Sequence, residues 1–159
     1  MVSIEKNITS AKQRIDQAVT QAGRDPKSLK LLAVSKTRPA SDIEEAFIKG
    51  LSAFGENYLQ EAIEKINSLA TLGAEWHFIG PLQSNKTRQV AEHFDWVHSV
   101  DRIKIAKRLS EQRPDHLPPI NICLQVNIDA EPSKSGVLPE DTIDLALIIS
   151  DRSEEHTSE

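Results

Sequence analysis

The spacing of apolar positions changes along the chain, and each change marks an element. Over residues 3–22, Ile4, Ile8, Ala11, Ile15, Ala18 and Ala22 recur at intervals of three and four. That interval lines one face of an α-helix. Gly23 follows, where a helix-closing glycine belongs, and Asp25-Pro26 turns the chain. Residues 29–34 then form a short apolar run, the pattern of a strand buried on both faces. Ser41-Asp42-Ile43-Glu44 has the form of a capping box, which predicts a helix capped by Ser41 and stopped by Gly50.

The alternation continues. Residues 52–55 read as a second strand, and Leu59, Ala62, Ile63, Ile66 and Leu69 line one face of the next helix. Residues 75–79 form a third strand, and Ser84 is placed to cap a helix that runs to Phe94 with Val90 and Ala91 inside. Residues 96–100 are a fourth strand. Asp101 is placed to cap the helix carrying Ile105, Ala106 and Leu109. Pro118-Pro119 breaks the chain, residues 120–128 are a fifth strand, and Pro139-Glu140-Asp141 opens a final apolar helix.

The five strands start near 31, 52, 75, 96 and 121, and a helix follows each. Strict alternation implies parallel strands joined by right-handed crossovers. Two α/β architectures satisfy it: an eight-stranded (β/α)8 TIM-type barrel and an open doubly wound sheet. No Gly-x-Gly-x-x-Gly follows the first strand, which counts against a dinucleotide fold. Five units are too few to close a barrel of eight, so the expectation is a barrel truncated after about five β/α units.

Composition narrows the class. The 159 residues are 38% apolar and 27% charged, an ordinary globular balance. A net charge of −5 argues against a nucleic-acid surface. No window has the apolar run of a membrane span, and residues 1–11 lack the apolar centre of a secretory signal. The single cysteine, Cys123, excludes an intrachain disulfide, and these features together point to the cytoplasm. Residues 152–159 carry no hydrophobic pattern of their own. One back-translation of them resembles a sequencing-library adapter, so residues 1–151 are expected to be the natural domain and 152–159 a non-native tail. A natural polar tail is the alternative.

In either parallel architecture, chemistry collects at the C-terminal ends of the strands. The residues there are Ser35-Lys36-Thr37, Glu56-Asn57-Tyr58, the segment from Gly80 to Lys86, Asn127, and Ser133-Lys134-Ser135-Gly136. Lys36 directly ends the apolar run Leu31-Leu32-Ala33-Val34. A lysine there is expected to be partly desolvated, which disfavours an ammonium and suits an amine to Schiff-base formation with an aldehyde. The competing reading is a lysine that snorkels to water. The five histidines and Cys123 show no zinc spacing, and Cys123 reads as a small core residue.

Three segments carry a resemblance. Leu31-Leu32-Ala33-Val34-Ser35-Lys36-Thr37, Phe54-Gly55-Glu56-Asn57-Tyr58 and Trp76-His77-Phe78-Ile79-Gly80-Pro81-Leu82-Gln83-Ser84-Asn85-Lys86 resemble the pyridoxal phosphate homeostasis protein family. Asn127 with Ser133-Lys134-Ser135-Gly136 matches as well, and the resemblance runs in order over residues 1–151. It implies a fold like the N-terminal barrel of alanine racemase. It also implies pyridoxal 5'-phosphate (PLP) held as a Schiff base on Lys36 without catalytic turnover, in vitamin B6 homeostasis. By the same resemblance Asn57 and Tyr58 line the cofactor pocket, and His77 is an inner-barrel residue near it. Lys86 and Lys134 stand at the mouth, where they could attract phosphate. For His77 a satisfied core histidine is the alternative, and for the two lysines a solvated surface.

The resemblance also places the main phosphate-gripping segment in a Ser- and Gly-rich stretch beyond this chain. Weak PLP binding, marginal stability and a tendency to aggregate are therefore expected of the 159 residues. The expected partners are PLP and PLP-dependent apoenzymes, with neither nucleic acid nor membrane, and the expected state is a monomer. The competing functions are a PLP-dependent racemase or decarboxylase on the same barrel, with Tyr58 as acid or base, and a phosphosugar-type barrel without PLP.

Overall fold

The computed structural model describes residues 3–155. Helix α1 (Ile4–Gln21) is capped by Ser3, whose hydroxyl accepts from the Lys6 N–H at 3.3 Å. Gly23 takes the left-handed φ of +60° that closing this helix requires. Five β/α units follow: β1 (Ala33–Val34) and α2 (Ala40–Ile48), β2 (Ala53–Glu56) and α3 (Leu59–Ser68), β3 (Glu75–Phe78) and α4 (Thr87–His93), β4 (Trp96–Val100) and α5 (Ile103–Gln112), and β5 (Asn121–Leu124) and α6 (Thr142–Glu155).

All pairings are parallel, and the strands lie in chain order, β1-β2-β3-β4-β5. A doubly wound sheet reverses its order at a switch point; a barrel adds each strand beside the last. The observed order is the barrel's. Along β3 and β4 the side chains alternate. Trp76, Phe78 and Val97 join the apolar core with Ile43, Ala62, Val90, Ile105 and Leu109. Glu75, His77, Trp96 and His98 stand on the opposite face, which is the lumen side of a barrel.

Five local expectations are corrected. The first strand is two residues long rather than six, because among the described residues β1 ladders only with β2 and residues 29–32 find no partner strand. Val34 is accordingly 53% exposed instead of doubly buried. Ser41 does not cap α2. The helix starts at Ala40 with Pro39 as its extended cap, and the Asp42 N–H donates to the Pro39 carbonyl at 3.1 Å. Ser84 opens a 3-10 turn (Ser84–Lys86) and accepts the Thr87 hydroxyl on its carbonyl at 2.9 Å. Asp101 does not cap α5, because its carboxylate is taken by the Gly136 N–H at 3.2 Å and by Arg102 at 2.8 Å. The fifth strand stops at Leu124, and Val126 continues only as a single bridge to Val137.

Arg113, just after α5, ties three loops. Its guanidinium donates to the carbonyls of Ala91 at 2.6 Å, Phe94 at 2.7 Å and Pro118 at 2.7 Å. Ala91 lies in the last turn of α4 and Phe94 is its C-cap, and a helix end leaves such carbonyls without partners. The boundary expected at 151/152 falls within α6, which continues to Glu155; residues 156–159 lie outside the described residues. No helix among the described residues is long and apolar enough to cross a membrane.

Candidate functional site

The C-terminal ends of β1 and β2 are joined by a buried polar network. Val34 pairs in register with Gly55, so Ser35 lies beside Glu56, and its N–H donates to the Gly55 carbonyl at 2.9 Å. Glu56 is fully buried. Its Oε1 accepts the Ser35 hydroxyl at 2.6 Å and Lys65 Nζ at 2.9 Å. Lys65 arrives from α3, where it shares the apolar stripe with Ala62, and is itself buried. Its ammonium also donates to the Ser35 carbonyl at 2.9 Å and to Glu61 Oε1 at 2.5 Å. Three donors meet three acceptors, as a buried ammonium requires. Glu61 in turn accepts the Thr37 N–H at 2.8 Å. The Lys65 hydrogen bond is the main cause that holds the Glu61 carboxyl below its usual range, against an opposing desolvation and with help from the Thr37 N–H.

Lys36 stands between the two peptides that this network grips. Thr37, the residue after it, has a φ of +62°, a left-handed conformation that a β-branched residue adopts only under constraint. The Lys36 side chain is exposed rather than partly desolvated, because β1 is a sheet edge and no strand among the described residues lies on its outer side. Its amine makes no hydrogen bond or ion pair among the described residues.

Asn57 follows Glu56, and its Oδ1 is buried without a hydrogen-bond partner. Gly80, just past β3, packs on it so closely that a Cβ at Gly80 would lie 2.6 Å from the Asn57 carbonyl oxygen. Only glycine lets these strand ends approach so far. Tyr58 is 54% exposed; its carbonyl accepts the Ala62 N–H at 2.9 Å, and its hydroxyl makes no hydrogen bond among the described residues. His77 is a satisfied histidine: Nδ1 meets His98 Nε2 at 2.8 Å, Nε2 meets Glu75 Oε1 at 2.7 Å, and the ring stacks on Trp96 at 5.6 Å. Neither of its nitrogens is left for a ligand. Lys86 ends the 3-10 turn after β3 and is exposed.

Beyond β5, Asn127 folds its own loop, donating to the Glu131 carbonyl at 2.9 Å and accepting the Glu131 N–H at 3.2 Å. Lys134 is exposed and paired with Glu131 at 2.7 Å. The hydrogen bonds from Lys134 and then Ser133 hold the Glu131 carboxyl below its usual range. Between β3 and β5 lies a cavity of about 350 Å³ lined by Ile79, Gly80, Asn127, Asp129, Lys134 and Ser135. Lys36, Lys86 and Lys134 therefore follow alternate strands along one sheet edge. Of the three, Lys134 lines this cavity and Lys36 and Lys86 do not. The Glu56–Lys65–Glu61 network was not anticipated from the sequence. Its signal was a lysine on an apolar stripe, three residues after Ala62 and four before Leu69.

Comparison with known proteins adds a family and relatives. The family model for the alanine racemase N-terminal domain matches residues 4–156. The pyridoxal phosphate homeostasis protein of Pseudomonas aeruginosa is 62% identical over 146 residues, 92% of this chain and 64% of that protein. The protein of the same name from Escherichia coli is 51% identical over 154 residues, 95% of this chain and 66% of that protein. The chain thus spans just under two thirds of the length of these curated relatives. Among solved structures, PipY of Synechococcus elongatus without PLP superimposes with a TM-score of 0.73 at 40% identity, covering 86% of this chain and 64% of PipY. PipY with PLP bound gives a TM-score of 0.65 at 41% identity, covering 80% of this chain and 59% of PipY.

Proposed function

The chain belongs to the alanine racemase N-terminal domain family, and from that premise we propose that it is a PLP-binding protein of vitamin B6 homeostasis with Lys36 as the Schiff-base lysine. The observation that carries this reading is the Lys36 amine, unpartnered at the end of β1 on a loop whose flanking peptides are both held. The surrounding groups suit the cofactor. Asn57 Oδ1 is a buried acceptor still lacking a donor, and Gly80, with no side chain, lets the end of β3 pack directly against it. PLP supplies an aldehyde that links reversibly to an amine. Lys36 would hold that aldehyde, Asn57 and Tyr58 would border the ring, and Lys86 and Lys134 would lend positive charge to the same edge. The name shared by the bacterial relatives and the PLP-bound PipY structure support the assignment.

The reading is of a carrier rather than an enzyme. Racemisation needs a positioned acid or base opposite the lysine. Tyr58 has an exposed side chain that nothing among the described residues orients. Such a carrier would work as a cytoplasmic monomer that serves PLP-dependent apoenzymes. The test is to incubate the chain with excess PLP, reduce with borohydride and locate the pyridoxyl mark by peptide mass spectrometry. The mark is expected on Lys36 and is expected to vanish from that peptide in Lys36→Ala without reappearing at a neighbouring lysine. Marking spread evenly over the surface lysines would overturn the assignment, and alanine racemisation by the longer relatives would overturn the non-catalytic part.

A further inference from the structure

The buried charges beneath Lys36 are more than the fold needs. An ion pair in a core of this kind is no more stable than apolar residues of the same volume, so its presence at one strand end asks for a local reason. Glu56, Lys65 and Glu61 spend their hydrogen bonds on two atoms of the chain besides one another and the Ser35 hydroxyl: the Ser35 carbonyl oxygen and the Thr37 N–H. Those atoms belong to the residues immediately before and after Lys36. The grip holds Thr37 at a φ of +62°, which an unrestrained threonine leaves.

We propose that Glu61 and Lys65 of α3 are positioning residues for Lys36, fixing the peptides on either side of it so that the amine leaves the end of β1 in one direction, toward the mouth. The proposal rests on the assignment of Lys36 as the aldehyde-binding lysine. Lys65 sets the carbonyl side and Glu61 the N–H side, and the ion pair between them couples the two. Neither residue touches the reacting atoms. Their contribution is orientation supplied before the cofactor arrives, and a loop that must instead find its bound geometry reacts more slowly. Lys36 adds through its nitrogen lone pair to the aldehyde carbon. The nitrogen's two protons and the aldehyde oxygen depart as water, and a C=N bond replaces C=O without change of oxidation state.

The test compares Glu61→Ala with Glu61→Gln in the same chain. The Glu61 side chain is 35% exposed, so both variants keep Lys65 paired with Glu56 and leave the core intact. Each is mixed with PLP, quenched with borohydride at timed intervals, and read as the ratio of pyridoxyl on Lys36 to pyridoxyl on Lys104, an exposed lysine of α5. Glu61→Ala removes the acceptor for the Thr37 N–H and is expected to lower the ratio roughly tenfold. Glu61→Gln keeps an amide oxygen there and is expected to restore most of it. A purely structural role would move both variants together with their melting temperatures. If wild type favours Lys36 and neither variant changes the ratio, the positioning proposal is wrong while the assignment of Lys36 stands. If wild type itself shows no preference for Lys36, both fall.

Discussion

Lys65 Nζ lies 2.9 Å from the carbonyl oxygen of Ser35, the peptide that leads into Lys36. A side chain from the second helix after β1 thereby fixes the exit of the first strand, thirty residues earlier in the chain. The same ammonium neutralises Glu56, whose Oε2 is buried without a partner.

Lys65→Met should therefore be costly, because it leaves the Glu56 carboxylate buried and uncompensated. The expected loss is about 3–5 kcal/mol of unfolding free energy. Adding Glu56→Gln removes the stranded charge and should recover more than half of it. Urea titrations of the single and double variants check both numbers, and a double variant no more stable than the single would contradict the account.

Gly80→Ala tests the close approach of the β2 and β3 ends. The added methyl would meet the Asn57 carbonyl oxygen at 2.6 Å and the Asn57 Cβ at 2.8 Å, so the strand ends must part. Overpacking of this kind typically costs ~1–3 kcal/mol. Borohydride-trapped pyridoxyl on Lys36 should fall with it, since Asn57 moves with the strand.

Stability should also fall in mild acid through His98. Desolvation first, and the neighbouring His77 second, hold the His98 imidazole below its ordinary value of 6.5. The unfolded chain then binds a proton that the folded chain refuses, so the full contribution is present above about pH 6.5 and is lost as pH drops toward the folded value. The groups around the pair are Glu75 and Lys30, which form an ion pair at 2.6 Å, and the Trp96 ring. Burial opposes ionisation of Glu75, but hydrogen bonds from Lys30 and His77 outweigh it and hold its carboxyl below 4.5, outside this window. Melting temperatures of wild type should decline as pH falls below about 6.5, and His98→Gln should flatten that decline.

Arg113→Lys keeps the charge but loses the fork that reaches Ala91, Phe94 and Pro118 together. The stranded carbonyls should cost about 2 kcal/mol by chemical denaturation. A lysine variant as stable as wild type would show that water satisfies them.

Most of the architecture was legible from apolar spacing. The fourth strand was read at its observed bounds, Trp96–Val100, because β3 and β5 pair with it on both sides and its valines face the core. The first strand was over-read because an apolar run has strand character whether or not a neighbour lies beside it, and among the described residues only Ala33 and Val34 find a partner strand. Caps failed where a tertiary partner outbid the local one: Asp101 serves Gly136 instead of its own helix. At the candidate site, the place of Lys36 just past a strand end was legible from the sequence. The charges beneath it were not, since the meeting of Ser35, Glu56 and Lys65 depends on strand register and helix docking, which no local window contains.

The chain-order sequence of strands bears on synthesis as well as shape. Every ladder joins segments that leave the ribosome one after the other. A nascent chain can dock each new unit on the one before it, with loop closures that stay short throughout translation. Growth then always happens at the newest edge, and the Lys36 loop can be locked as soon as the third helix has emerged.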